Sequence, residues 1–89
     1  MIKSLITIVN KLGLHTRAAA KLVATASHYE SKISITYKGN TVNCKSIMGV
    51  ITLGAAKGAI LEFEITGTDE RDACDAIALL VSDKFNEAE

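Results

Sequence analysis

The chain has no proline and no tryptophan, and only two phenylalanines and two tyrosines among its 89 residues. An RNA-recognition module needs aromatic platforms on an exposed sheet face with basic flanks, and four aromatics leave little to build them from. Ten acidic and ten basic side chains cancel. The basic excess behind non-specific binding to nucleic acid or anionic membranes is therefore missing. No twenty-residue apolar run occurs, and no basic leader precedes an apolar core, so the expected location is the cytoplasm, away from the membrane. The two cysteines, Cys44 and Cys74, form no CxxC and have no histidine at ligand spacing. Neither a metal site nor a disulfide framework is expected, and both read as small core residues. No nucleotide-binding loop is found, and no cofactor is expected.

What is present suffices for one core. Nearly half of the residues are hydrophobic (48%), and the length fits a single domain over residues 1–89. Ile2 to Val9 is apolar and β-branched and reads as a strand, with Ile2, Ser4, Ile6 and Ile8 on one face. Asn10 to His15 reads as a loop, and Thr16 to Ser27 as a helix with Ala19, Leu22, Val23 and Ala26 in its apolar stripe. Lys32 to Tyr37 alternates, Lys38-Gly39-Asn40 is a turn signal, and Thr41 to Cys44 returns as a short strand. Ser46 to Leu53 reads as a short helix with Ser46 as N-cap and Gly54 as a left-handed stop. Ala59 to Thr66 is the clearest strand, with Leu61, Phe63 and Ile65 facing one way and Glu62 and Glu64 the other. Asp69 is expected to cap a last helix carrying Ala73, Ala76, Ile77, Leu80 and Val81. The order βαββαβα, with strands apolar on one face only, predicts an open-faced α+β sandwich. Its sheet has four antiparallel strands, with three helices on one face.

The chemistry is concentrated in Gly13-Leu14-His15-Thr16-Arg17-Ala18-Ala19-Ala20-Lys21-Leu22. A helix start presents unpaired N–H groups and partial positive charge, and so attracts anions. A histidine side chain offers a nucleophilic ring nitrogen. An arginine two residues on offers a planar fork for phosphate oxygens. Together these groups are suited to accept a phosphoryl group on nitrogen. Arg17 also breaks a local rule, since a cation is disfavoured in a first helical turn. Lys21 reads as an ordinary solvated charge, and His28, near the helix end, as structural or solvated.

Three segments carry a family resemblance. Asn10-Lys11-Leu12-Gly13-Leu14-His15-Thr16-Arg17 resembles the active-site loop of HPr, the histidine-containing phosphocarrier of the bacterial phosphotransferase system. Lys45-Ser46-Ile47-Met48-Gly49-Val50 resembles that family's second signature, and Ala55-Ala56-Lys57-Gly58 before an alternating strand is also family-like. The resemblance implies that His15 takes phosphate from phospho-enzyme I on Nδ1 and passes it to IIA-type acceptor domains. It implies that Arg17 stabilises the phosphoryl group, and that Ser46 is a regulatory site for an HPr kinase/phosphorylase. Such a protein is a covalent carrier, a substrate of other enzymes and not itself an enzyme; a monomer is expected. Three positions depart from the family pattern. Ala18 stands where proline is usual, Thr16 where alanine is commoner, and Leu12 where a small polar residue is frequent.

Ser46 is a helix cap before it is anything else, and that role alone would explain it. Thr16, Ala20, Ile47, Met48 and Ile51 are expected to form a docking patch for partners, with a core role nearly as well supported for Ile51. The alternative within the family is the nitrogen-regulatory branch in place of sugar uptake. Outside it stand a βαββαβ RNA-binding or ligand-binding module, which would need neither His15 nor Arg17.

Overall fold

Leu61, Phe63 and Ile65 recur at every second position, and this period of two builds the centre of the protein. A computed structural model describes all residues, 1–89. It contains β1 (Ile2–Thr7), α1 (Thr16–Ser27), β2 (Lys32–Tyr37), β3 (Asn40–Asn43), α2 (Ile47–Thr52), β4 (Ile60–Thr66) and α3 (Glu70–Ser82). A one-turn segment at Lys84–Asn86 follows α3.

The strands form one antiparallel sheet in the order β1-β4-β2-β3. β4 lies between β1 and β2, with Ile6 opposite Leu61 and Ile35 opposite Phe63. This register stacks apolar side chains on one face, where Ile33, Ile35, Leu61, Phe63 and Ile65 are buried. The other face carries Lys3, Leu5, Thr7, Glu62 and Glu64 and is left open to water. It holds neither phenylalanine: Phe63 and Phe85 are both fully buried. That is the expected open-faced α+β sandwich.

The helices close the apolar face with small residues. α1 buries Ala18, Ala19, Leu22 and Ala26, while Val23 is half-buried. Alanines permit close approach of a helix to a sheet, which gives a thin, dense core. α3 buries Ala73, Cys74, Ile77 and Val81. Both cysteines are buried, as expected of small core residues, and each carries a free thiol. Burial pushes the Cys44 thiol up to about 12, against a smaller opposing pull from the Lys45 charge. No helix is long and apolar enough to cross a membrane.

Two local expectations hold at atomic detail. Ser46 is the N-cap of α2, its Oγ accepting from the Gly49 N–H at 3.2 Å. Gly54, just beyond α2, has φ +62°. One expectation fails: Asp69 occupies the N-cap position of α3 but makes no capping bond to that helix. Its carboxylate instead accepts from the Ser31 hydroxyl, the Ser31 N–H at 3.0 Å and the Glu30 N–H at 2.8 Å. Three donors from the turn before β2 outcompete a single helical amide. The Ser31 hydroxyl first, then the Glu30 amide, hold the Asp69 carboxyl below the usual aspartate range.

Candidate functional site

The site begins where β1 runs out. Ile8 is tied to the segment before β4 by its N–H to Ala59 (2.8 Å) and by the Gly58 N–H to its carbonyl (2.7 Å). The chain then turns tightly at Gly13, whose N–H donates to the Asn10 carbonyl at 3.2 Å. Gly13 has φ +68°, and a Cβ there would lie 2.7 Å from the Ala55 carbonyl oxygen. Only glycine lets the loop press so closely on residues 55–56. Next, the Leu14 N–H donates to Ala55 at 2.8 Å, and the buried Leu14 side chain anchors the loop in the core.

His15 therefore arrives at a fixed point as the N-cap of α1, with extended backbone (φ −76°, ψ 179°). Its side chain makes no capping bond, so the ring is not consumed by its own helix. The first helical bond runs from the Ala19 N–H to the His15 carbonyl at 2.8 Å. The amides of Thr16, Arg17 and Ala18 precede that bond and have no partner within the helix. Ala18 is fully buried. Alanine thus keeps the helix and its packing at the position where the family usually has proline, and it retains an N–H that proline lacks.

Arg17 is exposed at the mouth of a groove of about 430 Å³. Lys11, Lys21, Glu87 and Glu89 line the same groove. Cations and carboxylates thus share its lining. Lys11 pairs with Glu89 at 3.2 Å, an exposed contact of little energetic weight. Lys21 is not the simple solvated charge expected of it. Its Nζ donates to the Phe85 carbonyl at 2.6 Å, tying α1 to the segment after α3. A second depression, about 640 Å³, is lined by polar strand residues such as Ser34, Thr41, Asn43 and Glu64. It shares no residue with the groove beside His15.

The residues that follow α3 complete the site. Glu87 Oε2 is hydrogen-bonded to His15 Nε2. Glu87 Oε1 accepts from Asn10 Nδ2 at 3.0 Å, and the same amide donates to the Gly13 carbonyl at 2.8 Å. Burial works to raise the Glu87 pKa. The hydrogen bonds from Asn10 and His15, with the charge of Lys21, outweigh it and hold the carboxyl below the usual glutamate range. Neither Asn10 nor Glu87 stands out in the sequence as more than a loop or tail residue. Their partners lie 72 and 77 positions away, beyond any local pattern.

The remaining sites fall as follows. Thr16 and Ala20 are exposed on α1, and Ile47 and Met48 are exposed on α2 (44% and 70%). Ile51 is half-buried against the core, so its packing role is the larger one. α1 and α2 pack against each other, placing these exposed residues on neighbouring elements. Leu12, 68% exposed, adds an apolar side chain in the loop that the expected patch did not include. His28 is exposed at the C-cap of α1 and takes no part in the site.

Comparisons with known proteins converge. The family model described as "PTS HPr component phosphorylation site" matches residues 2–83. The phosphocarrier protein HPr of Xylella fastidiosa (strain Temecula1) is 46% identical over 87 residues, covering 98% of each chain. The crystal structure of HPr-C-His from Thermoanaerobacter tengcongensis matches with TM-score 0.95 and 40% identity, covering all of both chains. An HPr dimer from the same organism matches with TM-score 0.79 and 41% identity, covering 98% of this chain and 100% of that one.

Proposed function

The chain belongs to the HPr family of phosphocarrier proteins of the phosphotransferase system, and from that premise we propose that His15 is its phosphoryl acceptor. His15 takes phosphate from phospho-enzyme I and passes it to IIA-type domains in sugar uptake and its regulation. The observation that carries this reading is the placement of an uncapped imidazole at a helix start, before three amides with no helical partner. Those N–H groups and the helix dipole favour a dianionic group at that point.

Each residue then has a role. Nδ1 of His15 is the bonding atom, as membership of the family implies. The Arg17 guanidinium, free to swing at the groove mouth, supplies charge-assisted hydrogen bonds to phosphoryl oxygens. Thr16, Ala20, Ile47 and Met48, joined by Leu12, form the surface that partners meet. Ser46 lies at the N-cap of α2 beside that surface. Phosphorylation there adds about 1.5–2 negative charges at a helix start that tolerates them, and changes the sign of the rim. The protein works in the cytoplasm as a monomeric carrier, and catalysis of each transfer is shared with its partners.

The test is incubation with phosphoenolpyruvate and enzyme I, followed by intact mass and peptide mapping. One acid-labile, base-stable phosphoryl group on His15 is expected, and none on a His15→Ala variant. An unmodified wild-type chain, or full modification of His15→Ala, would overturn the proposal. Onward transfer to sugar-specific IIA domains, and not to a nitrogen-regulatory one, assigns the branch.

A further inference from the structure

We infer that Glu87 is a positioning residue for phosphoryl transfer: it holds the proton of His15 on Nε2 and so presents Nδ1 as the nucleophile. This role rests on the assignment of His15 as acceptor but adds a part that the family match does not contain. The matched region ends at residue 83.

Four observations carry it. Glu87 is bonded to His15 Nε2, and its side chain is only 12% exposed. Its second oxygen is held by Asn10, which is fully buried and also grips the Gly13 carbonyl. The acceptor loop and the carboxylate are therefore clamped by one amide. The segment that delivers Glu87 is itself secured. Phe85 is fully buried, and its carbonyl accepts from Lys21. The Glu87 N–H donates to Lys84 at 2.9 Å, and the Lys11 N–H to Glu89 at 2.6 Å. Lastly, Lys84, Phe85 and Asn86 all have positive φ (57°, 54° and 64°). Left-handed backbone is unfavourable at Lys84 and Phe85, though Asn86 tolerates it, so the turn persists because its contacts hold it.

A histidine's two nitrogens are not equivalent once one is engaged: the hydrogen bond made by one decides the state of the other. A carboxylate at Nε2 favours the tautomer with its proton there, which leaves the lone pair on Nδ1. That lone pair attacks the donor's phosphorus. The new P–N bond forms as the bond to the donor atom breaks, and its electron pair leaves with the donor. The Nε2 proton stays in place, so the phosphorylated ring becomes an imidazolium. Glu87 faces that new positive charge. Onward transfer reverses each change, and no proton has to leave or enter the ring. The other charges facing Glu87 are Lys21 from α1, with Lys11, Arg17 and Glu89 along the groove.

The experiment compares wild-type protein with Glu87→Ala and Glu87→Gln. Imidazole nitrogen NMR reads the His15 tautomer, rapid-quench phosphorylation by phospho-enzyme I reads the rate, and circular dichroism reads the fold. Wild-type protein is expected to hold its proton on Nε2. Glu87→Ala should lose that preference and slow the transfer by about 10- to 100-fold, the size of the loss when a metal-bound histidine loses the partner that orients it. Glu87→Gln can still accept from Nε2–H, so it should keep the tautomer but not the full rate, separating proton placement from charge. An unchanged tautomer and rate in folded Glu87→Ala overturns the inference, as does faster transfer, which would make the carboxylate a block. If wild-type protein takes no phosphate on His15, the acceptor assignment fails instead. The two failures are thus distinct.

Discussion

Replacing Gly13 by alanine tests whether the acceptor loop is held by close packing or merely drapes over the surface. The new Cβ would stand 2.7 Å from the Ala55 carbonyl oxygen, 2.8 Å from Ala56 Cα and 3.2 Å from Ala56 C. All three are backbone atoms, so no side chain can swing away. The backbone at φ +68° adds strain of about 1–2 kcal/mol for any residue with a Cβ. Overpacking adds about 1–3 kcal/mol. Gly54→Ala is the control, because it has a similar φ (+62°) and nothing within 4 Å of its Cβ. It carries the strain without the clash. The loss of chain freedom in the unfolded state is common to both variants and cancels between them. Gly13→Ala should then be less stable than Gly54→Ala by about 1–3 kcal/mol. At roughly 4–8 °C per kcal/mol for a domain of this size, that is a Tm gap of roughly 4–24 °C. Differential scanning calorimetry of the two variants reads it directly. Relief of the clash also pushes Leu14 away from Ala55, so phosphorylation of His15 should slow in Gly13→Ala alone. Melting temperatures within about 2 °C of each other would show that the loop yields freely and does not fix the position of the histidine.

Further outcomes are expected at four positions. Arg17→Ala should slow phosphorylation roughly 10- to 150-fold, the equivalent of one charge-assisted bond of about 1.5–3 kcal/mol; a normal rate with a large drop in Tm would make Arg17 structural. Ser46→Ala should cost about 0.5–2 kcal/mol of stability as its cap is lost. Ser46→Asp should keep the cap but weaken docking to enzyme I at low salt, and equal affinity in low and high salt would remove Ser46 from the interface. Asp69→Ala should lower Tm at neutral pH, and the gap to wild type should close in acid. The folded carboxyl titrates below its unfolded value of about 3.9, so its stabilisation is complete above that pH and fades as the pH falls through the folded value; a gap constant down to about pH 2 would refute the hydrogen-bond account. Cys44, with its thiol pushed up to about 12, should resist alkylation at about pH 8 until the protein unfolds, as read by mass spectrometry of the alkylated peptide with and without denaturant.

The features legible in the sequence are those whose causes are local. Alternation in β4, the Ser46 cap and the Gly54 stop each depend on a few neighbouring residues, and each is found where the pattern places it. The helix start at His15 is local too, and it is found where the pattern places it. Boundaries shift by a residue or two, as β1 ends at Thr7 once Ile8 and Val9 enter the loop. What the sequence conceals is long-range. Asp69 carries the signature of a cap, yet its carboxylate is captured by Ser31, 38 positions away. Lys21 sits on a polar helix face, yet it finds the Phe85 carbonyl 64 positions on. Lys84-Phe85-Asn86 contains no glycine to announce a left-handed turn. The tail around Glu87 therefore reads as an ordinary polar end.

The clamp between Asn10, His15 and Glu87 joins the loop after β1 to the last segment of the fold, and so it dates the birth of the site. α3 packs against β1, and that docking brings Glu87 to the loop that follows β1. Contacts of such sequence separation form late, because the intervening chain must already be ordered. A partly folded chain can own α1, its free amides and even the exposed arginine, and still lack the carboxylate that orders the ring. On the proposed roles of His15 and Glu87, the full rate of phosphate transfer then reports that folding is complete. A partner that draws phosphate through this histidine at the full rate would, on those roles, also read whether the two distant stretches of chain have met.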